Sequence, residues 1–309
     1  MTLILDALVP VFLVIMAGVA LRPLNFPGGD FWPLAERFTY FFLFPVMLIS
    51  KMANADISEV AIDQLALAIV SLLVVMTLFL VALKPVLTSS GPSFTSIYQG
   101  AIRFNTYVVL AAAEAMYGDA GLTMAAVTIA IMVPLVNILC VVIFSLFAGQ
   151  SGGGIVSTLK AMTKNPLIIG CVVGASLNLA GIGLPGWSAS AFDIVSKAAL
   201  PLGLLAVGVA LDLRSLSSAS WPLISSSVIK LLVMPAVAAT IGIVLELDHL
   251  MLSVLLLFAA MPTATSAYIL ARQLGGDAPL MATITTAQTL LAMVSLPFIL
   301  QAVQMGIAA

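Results

Sequence analysis

The sequence predicts an all-α membrane protein of ten transmembrane helices, folded as two inverted five-helix repeats whose fourth and ninth helices are broken and cross. Three observations predict it. Of 309 residues, 62% are hydrophobic and only 8% charged, where a soluble domain carries about 25% charge, so lipid must cover most of the surface. The charges fall in narrow bands between long apolar stretches. The two halves also repeat one another's landmarks around a glycine-rich midpoint. A net charge of −2 offers no basic field for nucleic acid.

A crossing helix needs about 20 mostly apolar residues. Such spans run at 3–22, 32–53, 62–86, 94–117, 120–147, 164–181, 190–211, 220–245, 249–272 and 278–304. The first lacks a basic leader and an A-x-A-like site, so it reads as a retained helix. Proline- and glycine-rich connectors separate the spans, among them Tyr117-Gly118-Asp119 and Gly275-Gly276-Asp277. The longest polar gap, Gly149-Gln150-Ser151-Gly152-Gly153-Gly154, reads as a flexible hinge. It divides the chain into a first repeat (1–148), a cytoplasmic linker (149–163) and a second repeat (164–309). Cys140 and Cys171 lie in apolar runs and read as small buried hydrophobes.

Lys/Arg asymmetry sets the orientation. Connectors after odd-numbered spans hold Arg22, Arg37, Lys84, Arg103, Lys160, Lys164, Arg214 and Arg272, against Lys51 and Lys197 opposite. That places the odd-side connectors in the cytoplasm and both termini on the non-cytoplasmic side.

An offset of 156 aligns Pro10 with Pro166, Gly18 with Gly174 and Pro45 with Pro201; one of 158 aligns Gly118-Asp119-Ala120 with Gly276-Asp277-Ala278. Each half has five spans, an odd number, so the second half enters upside down. Inverted repeats of this kind mark secondary transporters, with substrate bound near the midplane where a helix in each half is broken. In span nine, Pro262 removes a donor and disfavours helix at Met261, beside the hydroxyls of Thr263, Thr265 and Ser266, with Tyr268 close by. Alone, Pro262 reads as a kink. Paired with Asn105, Thr106 and Tyr107 at the repeat-related place in span four, it reads as one of two crossed breaks. Each break would expose the N–H groups of a half-helix N-terminus, which suit a carboxylate.

Arg103-Phe104-Asn105-Thr106-Tyr107 resembles the R-x-N-x-[FY] segment of the auxin efflux carrier family, which includes bacterial organic-anion carriers and plant PIN-type exporters. The run from Met261 to Ala271, followed by Gly275-Gly276-Asp277, is similar to that family's second crossover. One departure stands out: many relatives have a further proline where this chain has Ala111 or Ala112 and Ala267. The resemblance implies an elevator-like carrier. Spans 1, 2, 6 and 7 would form a scaffold on the side of a homodimer, left open, and spans 3–5 and 8–10 the transport domain. It also implies that Asn105 contacts a carboxylate and Pro262 sets the second break.

Charge at membrane depth is costly and points to function. Lys230, mid-span, is too far from either surface for its side chain to reach and should face the interior. Glu114 reads equally as its acidic companion, a proton carrier, or as an interfacial glutamate. Asn137 and Gln288 could line the cavity, but read better as hydrogen-bond glue between helices. The lone His249 reads as a surface residue. Neither crossover holds an acid, which favours proton coupling or potential-driven uniport; carbonyls and hydroxyls leave sodium open.

No Walker loop, HExxH, CxxC or histidine cluster occurs, so neither ATP, metal nor cofactor is expected, and no GxSxG element supports an enzyme. The expected function is carriage of small organic anions across a bacterial inner membrane. A sodium-coupled bile-acid-type symporter and a structural membrane protein are the rivals.

Overall fold

The structure, a computed structural model, describes residues 2–55, 61–148, 163–217 and 220–307. The hinge at 149–154, Lys160 and most of the expected linker lie outside them. The described residues contain helices and no strand. Lipid cannot satisfy backbone polar groups, so helix is the natural state of such apolar runs.

In order, α1 is Thr2–Leu21 and α2 Phe31–Phe38, continued by a π-helical turn at Thr39–Leu43 into α3, Phe44–Ala53. The wider turn precedes Pro45, which brings no N–H to the carbonyl one turn back. Next come α4 (Ile62–Leu87), α5 (Gly91–Ile102), α6 (Thr106–Phe147), α7 (Pro166–Leu179), α8 (Gly186–Ser196) and α9 (Ala199–Ala210). A second π-turn, Ile229–Val233, again just before a proline, joins α10 (Trp221–Val228) to α11 (Met234–Val244). The chain continues through α12 (His249–Ala260), α13 (Ser266–Gln273) and α14 (Ala278–Ile307).

Six segments are long and apolar enough to cross a membrane: Ile4–Leu21, Ile62–Leu87, Gly91–Phe147, Gly186–Ala210, Trp221–Val244 and Ala278–Ala302. Pro166–Leu179 and His249–Ala260 are apolar but shorter. The segment from Gly91 is long enough to cross twice. It bends inside α6 at Gly118, whose φ of 59° and ψ of −146° suit glycine alone; the expected connector there is a one-residue corner. Outward-facing side chains such as Leu78, Leu179 and Trp187 are 66%, 81% and 82% exposed. In water such a surface would be costly; facing lipid it is not.

The most extensive packing joins α1 to α9 and α3 to α7. Small residues allow both approaches. A Cβ on Gly18 would stand 2.2 Å from the Leu205 carbonyl oxygen, and one on Gly208 1.9 Å from that of Ile15. At the other interface a Cβ on Gly174 would come within 2.8 Å of Met52 and 3.1 Å of the Ile49 backbone. A second group surrounds α5 with α6, α10 and α14, and α12 with α6, α11 and α14.

Connectors sort onto two faces. On one, Arg22 donates to the Leu211 carbonyl and lies 3.9 Å from Asp212, Ser93 donates to Asp277 at 2.9 Å, and Trp221 donates to the Val86 carbonyl at 3.0 Å. On the other, Lys51 pairs with Asp119 at 2.6 Å, and Asn178 donates to the Ala55 carbonyl at 2.6 Å. Gln64 there donates to the Leu245 carbonyl. His249 opens α12 on this second face, exposed, behind the capping carboxylate of Asp248.

Candidate functional site

Two helices stop and restart inside the molecule. The first ends with α5 at Ile102 and resumes with α6 at Thr106; the second ends with α12 at Ala260 and resumes with α13 at Ser266. The interruptions touch. The Asn105 N–H donates to the Pro262 carbonyl at 2.8 Å. Pro262 has no donor of its own, so its segment accepts here rather than continuing a ladder.

Two sides of the crossing are consumed by structure. The N–H and hydroxyl of Thr263 are spent on the Gln288 Oε1 (3.0 Å) and the Gly100 carbonyl (2.9 Å). Gln288 returns its amide Nε2 to Gly100 (2.9 Å) and to the Ser226 carbonyl (3.4 Å). Gln288 is fully buried, lines none of the three cavities described below, and makes its bonds from helix to helix. Pro262 and Thr263, expected in the binding set, make bonds that join the two breaks and line none of the three cavities described below.

The half-helix ends differ. At the first, Asn105 Oδ1 accepts from the N–H groups of Tyr107 (3.1 Å) and Val108 (3.4 Å), so the expected bare donors are already capped. At the second, no side chain caps α13, and among the described residues no acceptor meets the N–H of Thr265 or Ser266. These are two orphan donors at the positive end of a helix.

Three cavities meet around these ends. The largest, about 930 Å³, is lined by Glu36, Asp212, Asp277, Thr265, Ser266 and Tyr268 among others, and lies toward the face of Arg22 and Asp277. A second, about 360 Å³, shares Glu36, Thr265 and Ser266 with it and adds Arg37, Asn105, Thr106 and Tyr107. A recess of about 80 Å³ shares Thr106 and Ser266 with the second and is lined by Arg103, Asn137 and Asn165. Tyr107 stacks on Phe44, with ring centroids 4.7 Å apart and planes 6° apart, which fixes the wall of the second cavity.

Of the expected site residues, the structure therefore brings Asn105, Thr106, Tyr107, Thr265 and Ser266 to one cavity. Tyr268 lines the outer vestibule, and Asn137 the recess. Lys230 is fully buried, as expected, with Nζ 3.3 Å from the Phe258 carbonyl and 3.3 Å from the Met234 sulfur. Its expected companion is elsewhere: Glu114 is exposed beside the Lys51–Asp119 pair.

Two residues escaped the sequence reading. Arg103, counted there as a connector base, sits in the first break instead, twelve helical residues in from Gly91. It is half-buried, and its Nη1 is buried with no hydrogen-bond partner. The signal lay in the motif itself, two residues before Asn105. Glu36, half-buried where the two larger cavities meet, is like Lys230 a charge inside an expected span, and that position was its signal.

The family described as Membrane transport protein matches residues 153–300, which include the second break and Gln288. No curated protein matches the chain. The family match, confined to the second half, makes this part of the chain similar to a family of membrane transport proteins and is consistent with the auxin efflux carrier resemblance of the two crossover motifs.

Proposed function

We propose that this transporter carries small organic anions by elevator-like alternating access, without sodium, driven by protons or by membrane potential. The observation that carries the proposal is the Arg103 guanidinium: it has an unpartnered buried nitrogen, and its recess shares Ser266 and Thr106 with the cavity below α13. A guanidinium and a helix N-terminus are both built to meet carboxylate oxygens. A buried donor nitrogen without an acceptor is costly, and an anion in the recess would supply one.

The reading extends to architecture. Ten crossings in two inverted halves would pair α1 with α9 and α7 with α3 as related interfaces, and the repeat-related Gly18 and Gly174 are both close-approach points in them. Those four helices, with α2 and α8, would form the scaffold; α4–α6 and α10–α14 would form the moving body that holds the crossing. The vestibule lies toward the base-rich face, so the conformation would be open to the cytoplasm, with both termini on the far side of a bacterial inner membrane. Glu36, next to the proposed anion, would repel it unless protonated, which gives proton coupling a physical route.

The test is a thermal-unfolding screen of purified protein against carboxylates such as malonate, malate and an aromatic acid, followed by uptake into proteoliposomes. A carboxylate should raise the unfolding midpoint of the native chain and lose that effect in Arg103→Gln. Uptake that is indifferent to Arg103→Gln, or no response to any carboxylate, would overturn the assignment.

A further inference from the structure

The carbonyl ends of the two interrupted helices are finished in different ways. A helix leaves its last four carbonyls without intrahelical donors. In α5 the Gly100 carbonyl receives two neutral donors, the Gln288 amide and the Thr263 hydroxyl. The offset of 158 residues that relates the halves carries Gly100 onto Phe258 in α12. The Phe258 carbonyl cannot be met from its own chain four residues on, because that residue is Pro262 and has no N–H. Lys230 meets it instead at 3.3 Å, from a π-turn of the neighbouring helix. The side chain is fully buried, its other contact is the Met234 sulfur, and it takes part in none of the ion pairs among the described residues. No carboxylate therefore explains why an ammonium is buried there. The carbonyl end of a half-helix does: it carries about half a negative charge.

We propose that Lys230 is a tethered cation for the crossing, held at the carbonyl end of α12 where a sodium-driven carrier would bind a free sodium ion at its broken helix. Pro262 creates the vacancy and Lys230 fills it. The break is then held open by the chain's own charge, and the site needs no ion from solution. Only the transport consequence, uptake that ignores sodium, rests on the carrier reading above; the structural half stands without it.

The experiment compares unfolding midpoints of the purified chain in sodium, ethylammonium and choline chloride at equal ionic strength. The native protein should unfold at the same temperature in all three. Lys230→Ala should unfold several degrees lower in choline and regain part of the loss in sodium or ethylammonium, cations small enough for the vacated space. A sodium-specific rise in the native protein would overturn the proposal, as would Lys230→Ala that ignores both small cations. Should Lys230→Ala not fold, Lys230→Gln decides: it keeps an N–H donor without charge, and a midpoint equal to the native one would show that the cation is unnecessary. In proteoliposomes, uptake equal with and without a sodium gradient supports the proposal, and strict sodium dependence overturns it. Absence of uptake in both conditions counts against the carrier reading, while the midpoints still decide the role of Lys230.

Discussion

The two breaks occupy related positions, yet the chain equips them differently. At the first, Asn105 caps the restarting helix and Arg103 brings a full positive charge. At the second, the restart at Ser266 is uncapped and surrounded by hydroxyls, while the cation sits at the stopping end as Lys230. Repetition of a backbone device thus does not mean repetition of chemistry. On the proposed reading, one break would offer a fixed charge to an anion and the other unpaired N–H donors near it.

If that division holds, the largest effect belongs to Arg103. Arg103→Gln should weaken binding of the responsive carboxylate by about 2–3 kcal/mol, roughly 30- to 150-fold, the scale of lost hydrogen bonds to a charge. Isothermal titration measures it. Arg103→Lys should recover only part, since an ammonium lacks the flat two-pronged fork. A loss of comparable size from Ser266→Ala would reverse the assignment of roles between the breaks.

Next in size is the tie between them. Gln288→Leu removes one of two donors to the Gly100 carbonyl and the acceptor of the Thr263 N–H. Leaving a buried donor unmet costs about 1–3 kcal/mol. The thermal midpoint should fall by several degrees, with carboxylate affinity changed less than in Arg103→Gln. If affinity falls and stability does not, Gln288 belongs to the binding set after all.

Much of the layout could be read from the chain because lipid imposes simple rules. Long apolar runs and punctuating glycines located the helices, and Pro262 with the Asn105 motif located both interruptions. What the sequence could not show was depth and partnership. Counting bases by connector put Arg103 at an edge, although twelve residues of α5 carry it inward from Gly91. An asparagine at a helix start can cap its own backbone or contact a solute, and composition does not choose; Asn105 caps. Gln288 and Gly100 lie 188 residues apart, so their bond exists only once both halves have folded.

The Asn105 cap gives a sharper contrast, of about 1 kcal/mol. Asn105→Ala removes an oxygen that serves two N–H groups, and loss of such caps costs about 0.5–2 kcal/mol of stability. Asn105→Asp keeps an accepting oxygen, so its unfolding midpoint should stay near the native value. Its added negative charge faces the same cavity as Ser266, and carboxylate binding should weaken. Stability and affinity therefore separate in the aspartate variant and not in the alanine one.

The smallest effect is expected at the second break. Ser266→Ala removes a hydroxyl that lines all three cavities but leaves the backbone N–H groups of α13 in place. If those N–H groups, and not the side chains, are what the second break contributes, affinity should fall by no more than about 1 kcal/mol, the net worth of one neutral hydrogen bond. Ser266→Pro removes a backbone donor itself, at a first helical position where proline is otherwise tolerated. It should cost more affinity than Ser266→Ala, and the unfolding midpoint should fall somewhat as well, because Thr265 holds a helical conformation (φ −58°, ψ −32°) that a following proline disfavours. Equal affinities for the two variants would mean that the start of α13 does not touch the anion, and that Arg103 acts without help from the second break.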